Sequence, residues 1–279
     1  MGLSLLDRLL DLPVAVVDVE TTGASADLGE RVVEIGVVRY ERGAKVSEYQ
    51  QLIDPKRRIA PGVSALTGIT QNMLDGRPTF DEQLPAMVQA MSGAVIVGHN
   101  VGFDLSFLAR EFARCGQGIE SALNRAPVLD TVRMARRRFG RGGNGLQQLA
   151  ARLGIEADGA HRALADARTT GALLELLLEP IGGWSVSLVD AIASQGGPIS
   201  LTPTPGRSQL PLELEEALEQ RMTVTMEYLD ARANRTQRVI EPLHVRRRNG
   251  ELILVAHCRL RDGPRTFKLE RIVRVAKVP

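Results

Sequence analysis

Four carboxylates and one histidine stand at three places along this 279-residue chain, in the order Asp-x-Glu, Asp, His-x4-Asp. Asp18 and Glu20 close an apolar run that begins at Val14. Side chains two apart on a strand share a face, so the two acids project together, and they repel each other unless a cation lies between them. Read alone, they are equally well the exposed end of an edge strand. The apolar run favours a buried central strand, whose end opens on a crevice. The second group is His99-Asn100-Val101-Gly102-Phe103-Asp104, at the passage from a predicted strand to a predicted helix. There Asn100 reads equally as a helix cap and Asp104 as an acid placed against the helix dipole. The third is His161-Arg162-Ala163-Leu164-Ala165-Asp166, which puts Asp166 just over one helical turn beyond the histidine. A lone histidine is more often a packed or surface residue than a catalyst.

Taken together these groups point to one chemistry. Hard oxygen donors select Mg²⁺ or Mn²⁺ over zinc. Two such ions about 3.5–4 Å apart clamp the attacking and leaving oxygens of a phosphodiester. A histidine, whose ordinary pKa lies near neutrality, is suited to take a proton from the attacking water. Two divalent cations, Mg²⁺ or Mn²⁺, are therefore the expected cofactors.

The elements that must position these residues are legible in the hydrophobic pattern. Strands are predicted at Val14–Val19, Val32–Tyr40, Lys45–Ile53, Ala94–Val97 and Val128–Leu129, with Arg42-Gly43 turning between the second and third. Helices are predicted at Phe80–Met91, Phe103–Cys115, Thr131–Phe139, Leu146–Leu153 and Arg162–Leu178. Met1–Leu12 reads as a short amphipathic helix with Leu5, Leu6, Leu9 and Leu10 on its apolar face. This order describes an α/β domain on a mixed sheet, over 1–180. Residues 181–209, dense in glycine and proline, read as a linker, within which Ser185–Ser194 could form a short helix. Residues 210–279 read as one helix, Leu212–Arg221, and a small β-barrel.

Composition is that of a globular protein, 44% hydrophobic and 24% charged. Residues 210–279 hold 14 Lys and Arg against 10 Asp and Glu, and from Arg246 onward 10 against 3, which suits a polyanionic partner. Two distant cysteines, Cys115 and Cys258, form no disulfide or zinc pattern. With no bilayer-length apolar run and no signal-peptide pattern at the start, a cytoplasmic chain without a membrane partner is expected.

The segment from 13 to about 178 resembles the DnaQ-like exonucleases of the DEDDh class, the family of the proofreading ε subunit of DNA polymerase III. The resemblance is carried by Val16-Val17-Asp18-Val19-Glu20-Thr21-Thr22-Gly23, Val97-Gly98-His99-Asn100-Val101-Gly102-Phe103-Asp104, His161-Arg162-Ala163-Leu164-Ala165-Asp166-Ala167 and Ser64-Ala65-Leu66-Thr67-Gly68-Ile69-Thr70. It implies an RNase H-like mixed sheet flanked by helices and a metal-dependent 3′→5′ exonuclease. Asp18, Glu20, Asp104 and Asp166 would bind metal and His161 would be the general base. Thr21, Thr22 and Gly23 would hold the terminal nucleotide by their backbone. Leu66 and Phe103 would pack on bases, and His99 and Asn100 would line the phosphate region. The expected substrate is nucleic acid with a free 3′ end, single-stranded DNA first, with little sequence preference because metals grip a phosphate common to every nucleotide. Arg136, Arg137, Arg138 and Arg141 would guide the strand or simply be a solvated helix face.

Residues 210–279 resemble a WYL domain, a small SH3-like β-barrel of bacterial regulators. The carrying stretches are Met226-Glu227-Tyr228, Arg238–Leu243, Gly250–Cys258 and Arg265–Ile272. Leu252-Ile253-Leu254 stands where that family has Trp-Tyr-Leu. Nucleic-acid or ligand binding in this part falls to Arg259, Arg261, Arg265 and Arg271, which would otherwise keep an exposed strand soluble. The competing readings are an RNA-trimming exonuclease and a non-catalytic nucleic-acid-binding regulator. A DNA polymerase or a repair factor is the candidate protein partner, although no polymerase domain lies in this chain.

Overall fold

The computed structural model describes residues 3–157, 159, 161–202, 210, 212–230, 232, 234–249 and 251–278. Its first sheet has five strands in the order β3-β2-β1-β4-β5: β1 (Val14–Thr21), β2 (Val32–Glu41), β3 (Ala44–Leu52), β4 (Val95–Gly98) and β5 (Val128–Asp130). β1 pairs antiparallel with β2, and β2 with β3. The β2–β3 hairpin closes on Arg42 and Gly43, both at positive φ, the conformation of a tight hairpin turn. β4 and β5 run parallel to β1 and so need crossover connections.

Helices cover both faces. Ala15, Val17 and Val19 of β1 pack with α3 (Phe80–Met91) and α4 (Val101–Arg114). Val14 and Val16 pack on the other face with α6 (Thr131–Phe139), α7 (Leu146–Leu153) and α8 (Ala163–Leu178). By the period of two, Asp18 and Glu20 continue the Val14–Val16 face and meet the start of α8. α8 sits unusually close to the sheet: a Cβ on Gly36 of β2 would lie 2.3 Å from the Leu164 nitrogen. Short helices α1 (Pro61–Thr67), α2 (Gln71–Leu74) and α5 (Ile119–Ala122), in the connections, carry too few residues to show a period in the sequence.

Two expectations are corrected. Of the amphipathic helix expected over Met1–Leu12, the described residues, from Leu3 onward, form one 3₁₀ turn, Leu9–Asp11, and no α-helix. Tertiary bonds occupy the backbone there instead: Leu9 N donates to Val186 O, Leu188 N to Asp7 O and Val189 N to Leu5 O. Leu9 is buried while Leu5 and Leu6 face solvent. The linker expected from 181 is likewise packed up to Leu201. Helix α9 (Leu188–Ser194) buries Leu188 and Ala191, and Gln195 receives the Asp130 N–H at 2.7 Å and donates to Val128 O at 2.9 Å. Leu201 joins the core of the first face. The rest of the proposed linker, 203–209, lies outside the described residues.

The second body begins with α10 (Leu212–Glu219) and continues as five antiparallel strands: β6 (Val224–Leu229), β7 (Arg235–Arg248), β8 (Glu251–Cys258), β9 (Gly263–Lys268) and β10 (Ile272–Lys277). Their order is β10-β6-β7-β8-β9, so the last strand returns to pair with the first around a separate apolar core. β7 is a long strand of 14 residues. It carries on through Glu241-Pro242 with a register shift between Pro242 and His244, the device that lets a ladder pass a residue without an N–H. Among the described residues no helix is long and apolar enough to cross a membrane.

Candidate active site

The end of β1, the start of α4 and the start of α8 converge on one cleft. Asp18, Glu20 and Asp166 each offer a carboxylate oxygen, and these oxygens lie within 4.8 Å of one another. Asp104 and His161 line the same cleft. Asp104 is 4% exposed, and its Oδ1 accepts the Val19 N–H at 2.9 Å, which ties α4 to β1 beside the acids. Asp166 accepts from Gln147 Nε2 at 2.8 Å and from the His161 N–H at 3.1 Å. That second bond closes a turn in which His161 takes φ 63°, a left-handed backbone uncommon for residues other than glycine.

The electrostatics are those of crowded, buried like charges. Burial first, and then the neighbouring acids, push Asp18 and Glu20 well above the usual carboxylate range. Burial lifts Asp104 to about 8 against the opposing Val19 N–H, and Asp166 to about 6. Arg162 acts on Glu20 in the opposite sense, but its guanidinium is already committed to Glu34. A set of hard oxygen donors held together without a neutralising side chain fits a divalent cation. Burial, then the charge of Arg274, lowers the His161 imidazole below its ordinary value, so at neutral pH it is a free base able to accept a proton.

Most of the remaining sequence-predicted residues gather here. Thr21, Gly23, Leu66, His99, Asn100 and Phe103 all line the cleft. Thr22 does not; it is 1% exposed, and its hydroxyl donates to Glu30 and accepts the Arg31 N–H at 2.9 Å. Asn100 occupies the cap position of α4 at φ 63° but makes no side-chain cap; its own N–H is held by Asp130 Oδ1 at 3.0 Å. His99 is pinned between Thr131 Oγ1 at 2.8 Å and the Asn144 carbonyl at 2.7 Å. The carbonyl can only accept, so Nε2 carries the proton, and burial lowers the ring to about 4. Arg259, Arg261, Arg265 and Arg271 do not reach the cleft. Arg259 pairs with Glu241 at 2.9 Å, and Arg261 and Arg265 face solvent. Arg136 lies 3.6 and 3.7 Å from Glu215 and Glu216, and Arg141 lies 3.4 Å from Glu219, so these two arginines hold the second body.

Three positioning residues escaped the sequence reading. Glu34, fully buried in β2, receives Arg162 through both Nε and Nη2 and also the Ala163 N–H at 3.0 Å. It thereby fixes the first turn of α8 next to His161. A single acid inside Val32-Val33-Glu34-Ile35-Gly36-Val37-Val38 was a readable signal, since charge in a buried strand needs a partner. Gln147 and Asp130 carried no such signal.

The family model described as Exonuclease matches residues 15–174, and the WYL domain model matches 210–277. DNA polymerase III PolC-type of Clostridium perfringens is 36% identical over 170 residues, 61% of this chain but only 11% of that protein. DNA polymerase III subunit epsilon of Aquifex aeolicus is 34% identical over 181 residues, covering 64% of this chain and 87% of that one. A solved exonuclease I shares the fold at 15% identity with a TM-score of 0.57, over 95% of this chain and 64% of that one. The converging acids, the sheet that carries them and the family match lead to one assignment: the chain belongs to the exonuclease family, in its DnaQ-like DEDDh class, and carries a WYL domain behind the nuclease domain.

Proposed function

We propose that this protein is a 3′→5′ exonuclease that hydrolyses the terminal phosphodiester of single-stranded DNA with the help of two divalent cations, Mg²⁺ or Mn²⁺. The observation that carries this reading is the approach of the Asp18, Glu20 and Asp166 oxygens to within 4.8 Å, beside Asp104 and His161 in one cleft. Asp18, Glu20, Asp104 and Asp166 would hold the cations. When bound there, these ions stabilise the charge that builds on the attacking and leaving oxygens. The neutral His161 imidazole takes the proton from the attacking water. Thr21 and Gly23 lie where the terminal nucleotide would rest, and Leu66 and Phe103 offer it apolar surface. Recognition through phosphate and stacking leaves the sequence unread. A DNA polymerase or repair factor as partner is supported only by the names of the relatives.

The test is a time course on end-labelled single-stranded DNA, duplex DNA and RNA, each with Mg²⁺ or Mn²⁺. Stepwise shortening from the 3′ end of single-stranded DNA is expected, and Asp18→Ala should abolish it while leaving the fold intact. Faster shortening of RNA would move the substrate to RNA through contacts with the 2′-OH. No shortening of any substrate, with or without chelator, would leave a nucleic-acid-binding regulator.

A further inference from the structure

The cleft does not belong to the nuclease domain alone. Beside Asp18, Glu20, His161 and Asp166 it is lined by Glu213 from α10 and by Ile272, Arg274 and Val275 from β10. The second body thus forms the wall facing the acids. It is docked there by specific contacts. Glu216, 3% exposed, accepts the Gly143 N–H at 2.8 Å and Asn144 Nδ2 at 3.0 Å, and the Asn144 carbonyl in turn receives His99. On the other side, a Cβ on Gly62 of α1 would lie 2.5 Å from the Glu270 carbonyl, a direct backbone approach between the two bodies.

Charge makes this wall informative. Six carboxylates line the cleft, namely Asp18, Glu20, Asp104, Asp166, Glu213 and Glu270, while Arg274 is its single Lys or Arg among the described residues. Arg274 is exposed and forms no ion pair or side-chain hydrogen bond among them. By contrast Arg235, at the start of β7, and Arg259, just past β8, are paired with Glu227 and Glu241. The Arg274 charge is near enough to both His161 and Glu213 to act on their proton affinities. A free guanidinium opposite a ring of acids is placed to meet an anion that lies between the two walls, and a phosphodiester is the anion this cleft would take.

We propose that Arg274 of the second domain is a substrate-positioning residue of the nuclease site, binding a backbone phosphate of the nucleic-acid strand held between the two domains. This rests on the exonuclease reading for the identity of the strand. It makes the WYL domain a structural half of the substrate cleft, with the nucleic-acid contact on β10 rather than at Arg259, Arg261, Arg265 or Arg271.

The test uses the full chain with Arg274→Ala, Arg274→Lys and Arg274→Glu. Binding of a fluorescein-labelled single-stranded oligonucleotide is followed by anisotropy in Ca²⁺ across a salt series, and degradation is measured separately in Mg²⁺. Losing one charge-assisted phosphate contact should raise Kd about tenfold in Arg274→Ala and lower the slope of log K against log salt by about one. Arg274→Lys should recover most of the slope, and Arg274→Glu should bind more weakly than Arg274→Ala. A merely structural arginine would leave the salt slope untouched. Unaltered Kd and slope in Arg274→Ala and Arg274→Glu would overturn the proposal, as would wild-type protein that binds no oligonucleotide. Wild-type protein that binds but does not degrade would defeat the exonuclease reading instead, with the Arg274 contact still decided by the binding data.

Discussion

At the scale of single residues, the site is a store of unfavourable charge. Asp104 sits near 8 in the fold and is ordinary in the unfolded chain, so it favours the native state only while protonated. Its stabilising share is present below about pH 4 and is lost as pH rises through about 8. His99, held near 4, works the other way: its share is lost as pH falls from about 6.5. Between about pH 6.5 and 8 Asp104 therefore dominates. Over that window the melting temperature of metal-free protein should fall as pH rises, and the gain on adding Mg²⁺ should grow. Asp104→Asn should flatten the metal-free dependence. A Mg²⁺ gain that stays constant with pH in differential scanning fluorimetry would contradict this account. The Arg162–Glu34 pair gives a second residue-level expectation. Glu34 is fully buried, so Arg162→Ala leaves an interior carboxylate without its counter-charge, held only by the neutral Ala163 N–H and Gln50 amide donors, and should cost about 3 kcal/mol in a denaturant melt. Arg162→Lys would recover only part of this, because an ammonium cannot reproduce the forked contact.

At the scale of elements, the register of β1 and the seating of α8 decide the geometry. β1 lies between an antiparallel and a parallel neighbour, which leaves its end, and not its edge, open to the cleft. α8 can bring His161 and Asp166 over that end only because Gly36 has no side chain. Gly36→Ala would force the helix away from the sheet. Overpacking of this kind typically costs 1–3 kcal/mol, and here the shift should also separate Asp166 from Asp18. The expected result is a protein that still folds, with a lower denaturation midpoint and activity reduced by at least tenfold. Activity equal to wild type would mean that α8 can relax without moving its first turn.

At the scale of the whole molecule, the two bodies meet through α10 and α1. Glu216 is the buried node of that contact, with the Gly143 and Asn144 donors depending on it. Glu216→Ala would leave those donors without a partner, at a cost of about 2 kcal/mol. Hydrogen exchange should rise around 140–146 and in α10 while the strands of both sheets stay protected. Because Asn144 also anchors His99, the same variant should weaken oligonucleotide binding. An exchange pattern identical to wild type would show that the bodies are held by other contacts.

Much of this was legible in the chain. The apolar run from Val14 marked a strand, whose period of two put Asp18 and Glu20 on one face, and the helical pattern after His161 placed Asp166 a turn beyond it. Those outcomes follow from local periods, which a one-dimensional pattern records. The common chemistry of the three groups, together with the family resemblance, joined them into one expected site. What the sequence did not contain was the partner of each buried group. Glu34 announced itself as a charge in an apolar strand, but only the fold shows that Arg162, 128 residues away, answers it. The first Leu-rich segment carried a helical period and yet gave up its backbone to Val186–Val189, because tertiary hydrogen bonds outweigh the weak propensity of a short helix. The basic residues of the second domain were countable, but which of them faces the acids depends on how α10 docks. That docking rests on contacts between residues more than 70 positions apart, and no spacing rule along the chain encodes them.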